Sequence, residues 1–306
     1  MKCKLLWGFL SIFCIVLIVG VLNLKTLKET FIRSPLALLY VENIRDGRAI
    51  DDDHLVTKLD NGMDIIVNRH DRCVCFFTRL TGHWDANETA VLNALVKPGF
   101  SIVEVGSNFG VHTLRMADTV GANGKIQAFE ANPHVSKYLK QSVTLNKLDH
   151  VVTVHQKAAG HMEKTVHLSF GTANIGGGHL VDEKTNETVA TEMVRLDDTF
   201  PGLHVDILKI DAEGSEANVI AGGMKIIREN PDIILMMEWS PVMIAQQSES
   251  PALLLEALKN EGFQAWKIGM HKSGKANLIP LSWEMVEKES YCDLVLSRND
   301  LQLNAS

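Results

Sequence analysis

Ile102-Val103-Glu104-Val105-Gly106-Ser107-Asn108-Phe109-Gly110-Val111-His112 sets an apolar run, an acid and a glycine turn directly before a segment with apolar residues at helical spacing. A near-continuous apolar strand is one buried on both faces, as in a parallel sheet. Gly106 and Gly110 let the backbone approach a ligand without a Cβ in the way, and the following helix points its N-terminus at that ligand. About twenty residues on, Lys125-Ile126-Gln127-Ala128-Phe129-Glu130 supplies a second strand ending in a carboxylate, the group that takes both ribose hydroxyls of a nucleoside. Val205-Asp206-Ile207-Leu208-Lys209-Ile210-Asp211-Ala212-Glu213-Gly214-Ser215-Glu216 ends a further strand in acids around a glycine. Three strand ends converge on one nucleotide crevice.

Each piece alone is ordinary in α/β proteins; order and spacing give them meaning together. Asn108 stands where the G-x-G-x-x-G motif of dinucleotide enzymes has its second glycine, the place where a pyrophosphate needs the backbone closest. A nucleoside without phosphates makes no such demand.

Strands over 101–105, 125–129, 151–155, 205–210 and 232–238 alternate with helices over 110–119, 133–146, 215–228 and 251–260. That alternation predicts a Rossmann-like α/β fold, a doubly wound, mostly parallel sheet covered on both faces. Gly262–Ile268 and Tyr291–Ser297, with no helix between them, read as a final antiparallel pair. A helix over Glu88–Leu95 stops at Lys97-Pro98-Gly99. Leu55–Leu59 and Met63–Val67 flank Asp60-Asn61-Gly62 and read as a hairpin with a tight Asn-Gly turn, expected to cap the crevice mouth. Asn174-Ile175-Gly176-Gly177-Gly178 reads as a mobile loop closing over substrate.

The 306 residues are 46% hydrophobic and 22% charged, a globular balance with room for one large core. With a formal net charge of -7 and no long basic run, nucleic acid is excluded as the expected partner. Cys3, Cys14, Cys73, Cys75 and Cys292 are the cysteines. Cys73-Val74-Cys75 is too tight for a zinc pair without partners and falls on one face of a strand; a disulfide to Cys292 stays open. No His or acid pattern argues for a bound metal.

Leu5–Leu22 is apolar apart from Ser11, with Lys2 and Lys4 before it and Lys25, Lys28 and Arg33 after it. That length suits a membrane helix, and the expected organisation is an anchor over 1–24, a helical stem over 25–53 and a catalytic domain over 54–300. A cleaved signal peptide is the alternative, with Gly20 as a weak cleavage-site residue. Flanking charge barely decides orientation, but a short amino terminus before a long domain reads as a signal anchor, placing the domain in the secretory lumen of a eukaryotic host. Sequons at Asn87, Asn186 and Asn304 agree with that and add little.

From about Trp84 to Arg298 the chain resembles the FkbM-type family of S-adenosylmethionine-dependent methyltransferases. The resemblance is carried by Gly82-His83-Trp84-Asp85, Lys97-Pro98-Gly99, Glu104–Gly110, Phe129-Glu130-Ala131-Asn132-Pro133 and Lys209–Glu216. Asn174–Gly178, Arg195-Leu196-Asp197-Asp198 and Glu238-Trp239-Ser240-Pro241 follow in the family's order. Glu104 where Asp is commoner and Ser107 where Ala is commoner are mild departures. The resemblance implies a class I methyltransferase fold with a reversed last strand and S-adenosylmethionine as cofactor.

On that basis Glu104 meets the methionine ammonium, Gly106, Ser107, Asn108 and Gly110 line the methionine and ribose side, and Glu130 with Ala131 takes the ribose. Ala158, in Lys157-Ala158-Ala159, offers backbone to the adenine edge. Asp211 faces the sulfonium methyl. A hydroxyl acceptor must lose its proton, and Glu213, Glu238 and His179 are the candidate bases in that order. Glu216 reads as a helix first-turn acid and His112 as structural. Trp84 and Trp239 are candidates for stacking on a sugar or for core packing.

The expected activity is O-methylation of a glycan or another polyhydroxylated small molecule by a membrane-anchored enzyme. A nicotinamide-dependent oxidoreductase shares the ribose carboxylate but calls for three spaced glycines and a Tyr-x-x-x-Lys relay, both missing. A catalytically silent methyltransferase-fold binding module at a membrane is the other alternative. Titration with S-adenosylmethionine and with NAD separates the three.

Overall fold

The computed structural model describes residues 47–301 other than 172, 182–184, 186–187 and 271–274, together with Leu303. Strands β1 (Arg48–Ala49), β2 (His54–Lys58) and β3 (Asp64–Asn68) make a three-stranded antiparallel sheet. Helices Val74–Thr81 and Ala86–Leu95 lead into β4 (Ser101–Val105), helix Val111–Val120, β5 (Lys125–Phe129), helix Pro133–Leu145 and β6 (Val152–His155). A second sheet follows, built from β7 (Ala158–Ala159), β8 (Lys164–Gly171), β9 (Asn174–Val181) and β10 (Val189–Val194) in the order β7-β10-β8-β9. The chain returns through β11 (Ile207–Ile210), helices Glu216–Gly222 and Met224–Glu229, β12 (Ile234–Trp239), helices Pro241–Gln246 and Pro251–Asn260, β13 (Gln264–Ile268), β14 (Leu278–Leu281) and β15 (Cys292–Ser297).

The main sheet runs β14-β13-β15-β12-β11-β4-β5-β6. β6, β5, β4, β11 and β12 are parallel to one another, and β15 is antiparallel to both β12 and β13. A reversed strand in an otherwise parallel sheet is the arrangement the methyltransferase resemblance implies. Alternate residues of each strand feed two cores: Ile102, Ile126 and Ile207 pack with Leu92, Leu114 and Leu139 on one face. Val103, Leu208 and Leu235 pack with Val219, Ile220 and Leu258 on the other. Burying each such side chain contributes about 1.5–3 kcal/mol, so the central strands are mostly apolar on both faces, Glu104 and Lys209 being buried exceptions. Between β4 and β11 the strand order reverses, which opens a crevice beyond their carboxyl ends.

The membrane helix over 5–22 and the anchor over 1–24 lie outside the described residues, as do Asn186 and Asn304. Among the described residues no helix is long and apolar enough to cross a membrane. The stem is described only from Gly47, where Arg48–Ala49 is a strand on β2, not helix.

Several local expectations are corrected. The hairpin does not cap the crevice: its Ile66 amide donates to Ser142 Oγ at 3.0 Å and its Asp64 amide to Asn146 Oδ1 at 3.0 Å, fastening it to the back of helix Pro133–Leu145. Its turn is wider than a two-residue Asn-Gly turn, since Leu59 N donates to Met63 O and Gly62, not Asn61, takes the positive φ. Cys73 and Cys75 do not share a strand; Cys73 stands at the N-cap position of helix Val74–Thr81, and no disulfide joins Cys73, Cys75 and Cys292. The helix over 215–228 is broken at Gly222-Gly223. Between β13 and β15 lie β14 and a short helix, Trp283–Val286. Asn174–Gly178 is not a loop but the start of β9, paired with β8; cross-strand pairing outweighs the glycines' weak strand preference.

Candidate active site

The glycine turn is fixed by its neighbours. Gly106 has φ +84°, and a Cβ there would collide with the Asp211 carbonyl oxygen, so glycine alone lets the ends of β4 and β11 meet. The Gly106 and Ser107 amides both donate to Phe129 O, at 3.0 and 2.9 Å, tying the turn to the end of β5. Asn108 follows in the left-handed region, φ 52°.

Glu130, next after β5, accepts the Asn108 amide on Oε2 and the Asn132 amide on Oε1, each at 2.8 Å. One lone pair on each oxygen remains for a second donor. Burial pushes its carboxyl up to about 7, against the two amides, which favour the charged form. Asn132 caps helix Pro133–Leu145 through its Oδ1 and donates from Nδ2 to Ile175 O at 3.1 Å, joining β9 to the site.

The crevice is lined by Gly106, Asn108, Glu130, Ala131, Ala158, Asp211 and Glu213 among the expected residues, with Phe129, Leu168 and Leu180 as apolar walls. Gly176 and Gly178 of β9 close one side, where a Cβ on Gly176 would collide with the Asn108 side-chain amide. Glu104, Ser107 and Gly110 stand behind that lining. Glu104 is 1% exposed and accepts Thr113 Oγ1 at 2.5 Å; burial raises its pKa while Lys209 opposes the rise. Ser107 is buried, and Gly110, φ 92°, begins helix Val111–Val120 against Leu139.

Asp211 lies just past β11. Burial raises its pKa, Lys209 lowers it, and Glu88 adds to the rise. Lys209 is itself buried, with Nζ 3.2 Å from Glu88 Oε1, and Glu88 Oε2 is 3.1 Å from His112 Nε2. This ion pair is missing from the sequence reading. The signal for it was present: a lysine inside the apolar run Ile207–Ile210 must find a buried anion.

A second, larger cavity of about 640 Å³ adjoins the crevice, with Leu180 and Glu213 in the walls of both. Its polar lining includes His161, Lys164, His179, Asn218, Gln246 and Gln247. Glu213 has φ 49°. Glu238 lines neither cavity; it sits in β12 in register with Asp293. Burial, with Glu238 and Asp293 adding, holds the Tyr291 hydroxyl well above its ordinary value. Glu216 Oε1 accepts the Ala212 and Gly214 amides at 3.0 and 3.2 Å, closing the turn that presents Glu213. Trp239 is core, donating from Nε1 to Glu289 O, while Trp84 is half-buried and packs near Phe77.

A carboxylate gripping the glycine turn and acids at the switch point are the arrangement expected of a nucleoside-binding crevice in a doubly wound sheet. The sequence model described as the methyltransferase FkbM domain matches residues 104–265, and the chain belongs to that family, with S-adenosylmethionine as cofactor. No curated protein matches the sequence significantly. Among solved structures, the methyltransferase FkbM from Methylobacillus flagellatus is 14% identical, over 88% of this chain and 60% of that one, with a TM-score of 0.40. A SAM-dependent O-methyltransferase from Thermotoga maritima is 13% identical, over 82% and 94%, also with a TM-score of 0.40. The O-methyltransferase from Bacillus cereus in complex with SAH is 11% identical over 89% and 94%, TM-score 0.40.

Proposed function

We propose that this methyltransferase acts on a hydroxyl oxygen of a glycan or another polyhydroxylated small molecule, with Glu213 as the base. The observation that carries the reading is Glu213 standing in the wall shared by the cofactor crevice and the polar cleft. A cleft rimmed by histidine, amide and lysine side chains can meet many hydroxyl groups at once.

In this reading Glu130 accepts the ribose hydroxyls on its two remaining lone pairs. Ala131 and Ala158 bound the nucleoside. The unobstructed backbone at Gly106 and Asn108 admits the ribose and methionine chain, with Ser107 and Gly110 shaping that turn from behind. The bound cofactor supplies a methyl group on a positively charged sulfur. Asp211 offsets that charge, and Glu104 supports the ammonium end from beneath. Glu213 would accept the acceptor's proton, leaving its oxygen free to take the methyl group that bound cofactor would supply. Positioning the two reactants supplies much of the acceleration. Glu238 and His179 are the alternative bases.

A screen of glycans and small alcohols with methyl-labelled cofactor tests this. Label on an acceptor oxygen supports it; label only on nitrogen or carbon acceptors refutes it. We also propose, from Leu5–Leu22, an anchored enzyme facing a secretory lumen in a eukaryotic host. A mature chain starting near Val21 and found in the soluble fraction would refute the anchor.

A further inference from the structure

Directly under the crevice, the face of the sheet toward helices Ala86–Leu95 and Val111–Val120 holds a layer of charges. Lys209 is 2% exposed and is in register with Glu104 on the neighbouring strand. Two residues on, Asp211 follows at the carboxyl end of the same strand. From helix Ala86–Leu95, Glu88 reaches Lys209 Nζ at 3.2 Å, and from helix Val111–Val120, His112 stands 3.1 Å from Glu88. Asp85, at the cap of the first of these helices, and Asp293 of β15 extend the layer and act on one another and on Asp211 through space. β12 faces Lys209 in register with Met236, which is uncharged.

A lysine without a counter-charge would give up its proton in such a place. Burial works against the Lys209 ammonium, but Glu88, then Asp211 and Glu104, hold it above its ordinary value. Glu88 is held below its ordinary value: burial would raise it, but Lys209 and then His112 outweigh burial. Glu88 therefore anchors the ammonium, and Lys209 acts on the two carboxylates nearer the ligand. S-adenosylmethionine carries two positive groups, the sulfonium and the ammonium, and both favour ionised acids beside them.

We propose that Lys209 is a positioning residue for the cofactor: its buried ammonium, anchored by Glu88, holds Asp211 and Glu104 in the charged form that a cationic cofactor requires. This rests on the cofactor position given above. Lys209 lowers both carboxyls more than His112, the other cationic group beside them, so without it they protonate at higher pH and cofactor affinity falls earlier on acidification. Removing the charge of Glu88 has the opposite sign, because Glu88 raises Asp211 and competes for Lys209.

The test is the dissociation constant of S-adenosylmethionine by titration calorimetry from pH 5.5 to 7, where its own ammonium stays protonated. The full-length chain is compared with K209M, K209R, E88Q and D211N, and circular dichroism checks each fold. K209M should move the pH at which affinity falls upward by about one unit or more, a tenfold loss at fixed pH on the acid limb. K209R should return it toward wild type, and E88Q should move it downward. If K209M does not fold, K209Q, which keeps a polar group beside Glu88, carries the test with the same upward shift. Lowered melting temperatures with the acid limb unmoved, or both variants moving it the same way, would overturn the role of Lys209. Unchanged affinity in D211N would instead overturn the cofactor position.

Discussion

The backbone amide of Asn108 donates to the carboxylate of Glu130 at 2.8 Å, so the turn after β4 is tied to the tip of β5. The other oxygen of Glu130 is held just as closely by Asn132. A ligand that bonds Glu130 thus meets a group whose direction is already set, with little side-chain entropy left to lose.

Burial makes the apoprotein sensitive to pH. Burial raises Glu130 and Glu216 from 4.5 to about 7 each. Between those values the folded state binds more protons than the unfolded one, so stability falls as pH rises, by up to about 3 kcal/mol per group. Glu216→Gln removes one share. Denaturant unfolding should find the variant more favourable relative to wild type at pH 8 than at pH 5, by up to about 3 kcal/mol. An equal difference at both pH values would show that Glu216 titrates normally.

Gly99 and Gly106 share φ +84°, but only Gly106 lacks room for a side chain. Gly99→Ala should cost only the left-handed backbone penalty, about 1–2 kcal/mol, and leave cofactor binding alone. Gly106→Ala adds a collision with the Asp211 backbone and should destabilise further and abolish cofactor binding. Thermal melts and cofactor titrations of the two variants check this; matching losses would mean that the close approach of β4 and β11 is immaterial.

Most of the main sheet was legible because its strands are buried on both faces and carry their own apolar signature, as Ile126–Phe129 does. The strand-end residues Gly106, Glu130 and Asp211 were legible for the same reason, since their place follows from where the strands stop. The second sheet was not. Its strands are short or half-exposed, β9 is rich in glycine, and its pairing with β8 is a tertiary fact. The walls Leu168 and Leu180 were hidden with it. Helix Val74–Thr81 was missed because Cys73-Val74-Cys75 fits either period over three residues.

Glu213→Gln keeps the shape of the side chain and removes its basicity. Turnover on the acceptor should fall about 100-fold or more, the scale for losing a general base, while cofactor affinity holds. Steady-state rates on the acceptor found by labelling decide it; full turnover would shift the base to Glu238 or His179.

Glu130 is the proposed seat of the cofactor ribose. Calorimetric titration of S-adenosylmethionine into wild type and Glu130→Ala, with folding verified by circular dichroism, measures it. Loss of a charge-assisted hydrogen bond costs about 1.5–3 kcal/mol, so the variant should bind roughly 10- to 150-fold more weakly. A folded Glu130→Ala protein with the wild-type dissociation constant would contradict it.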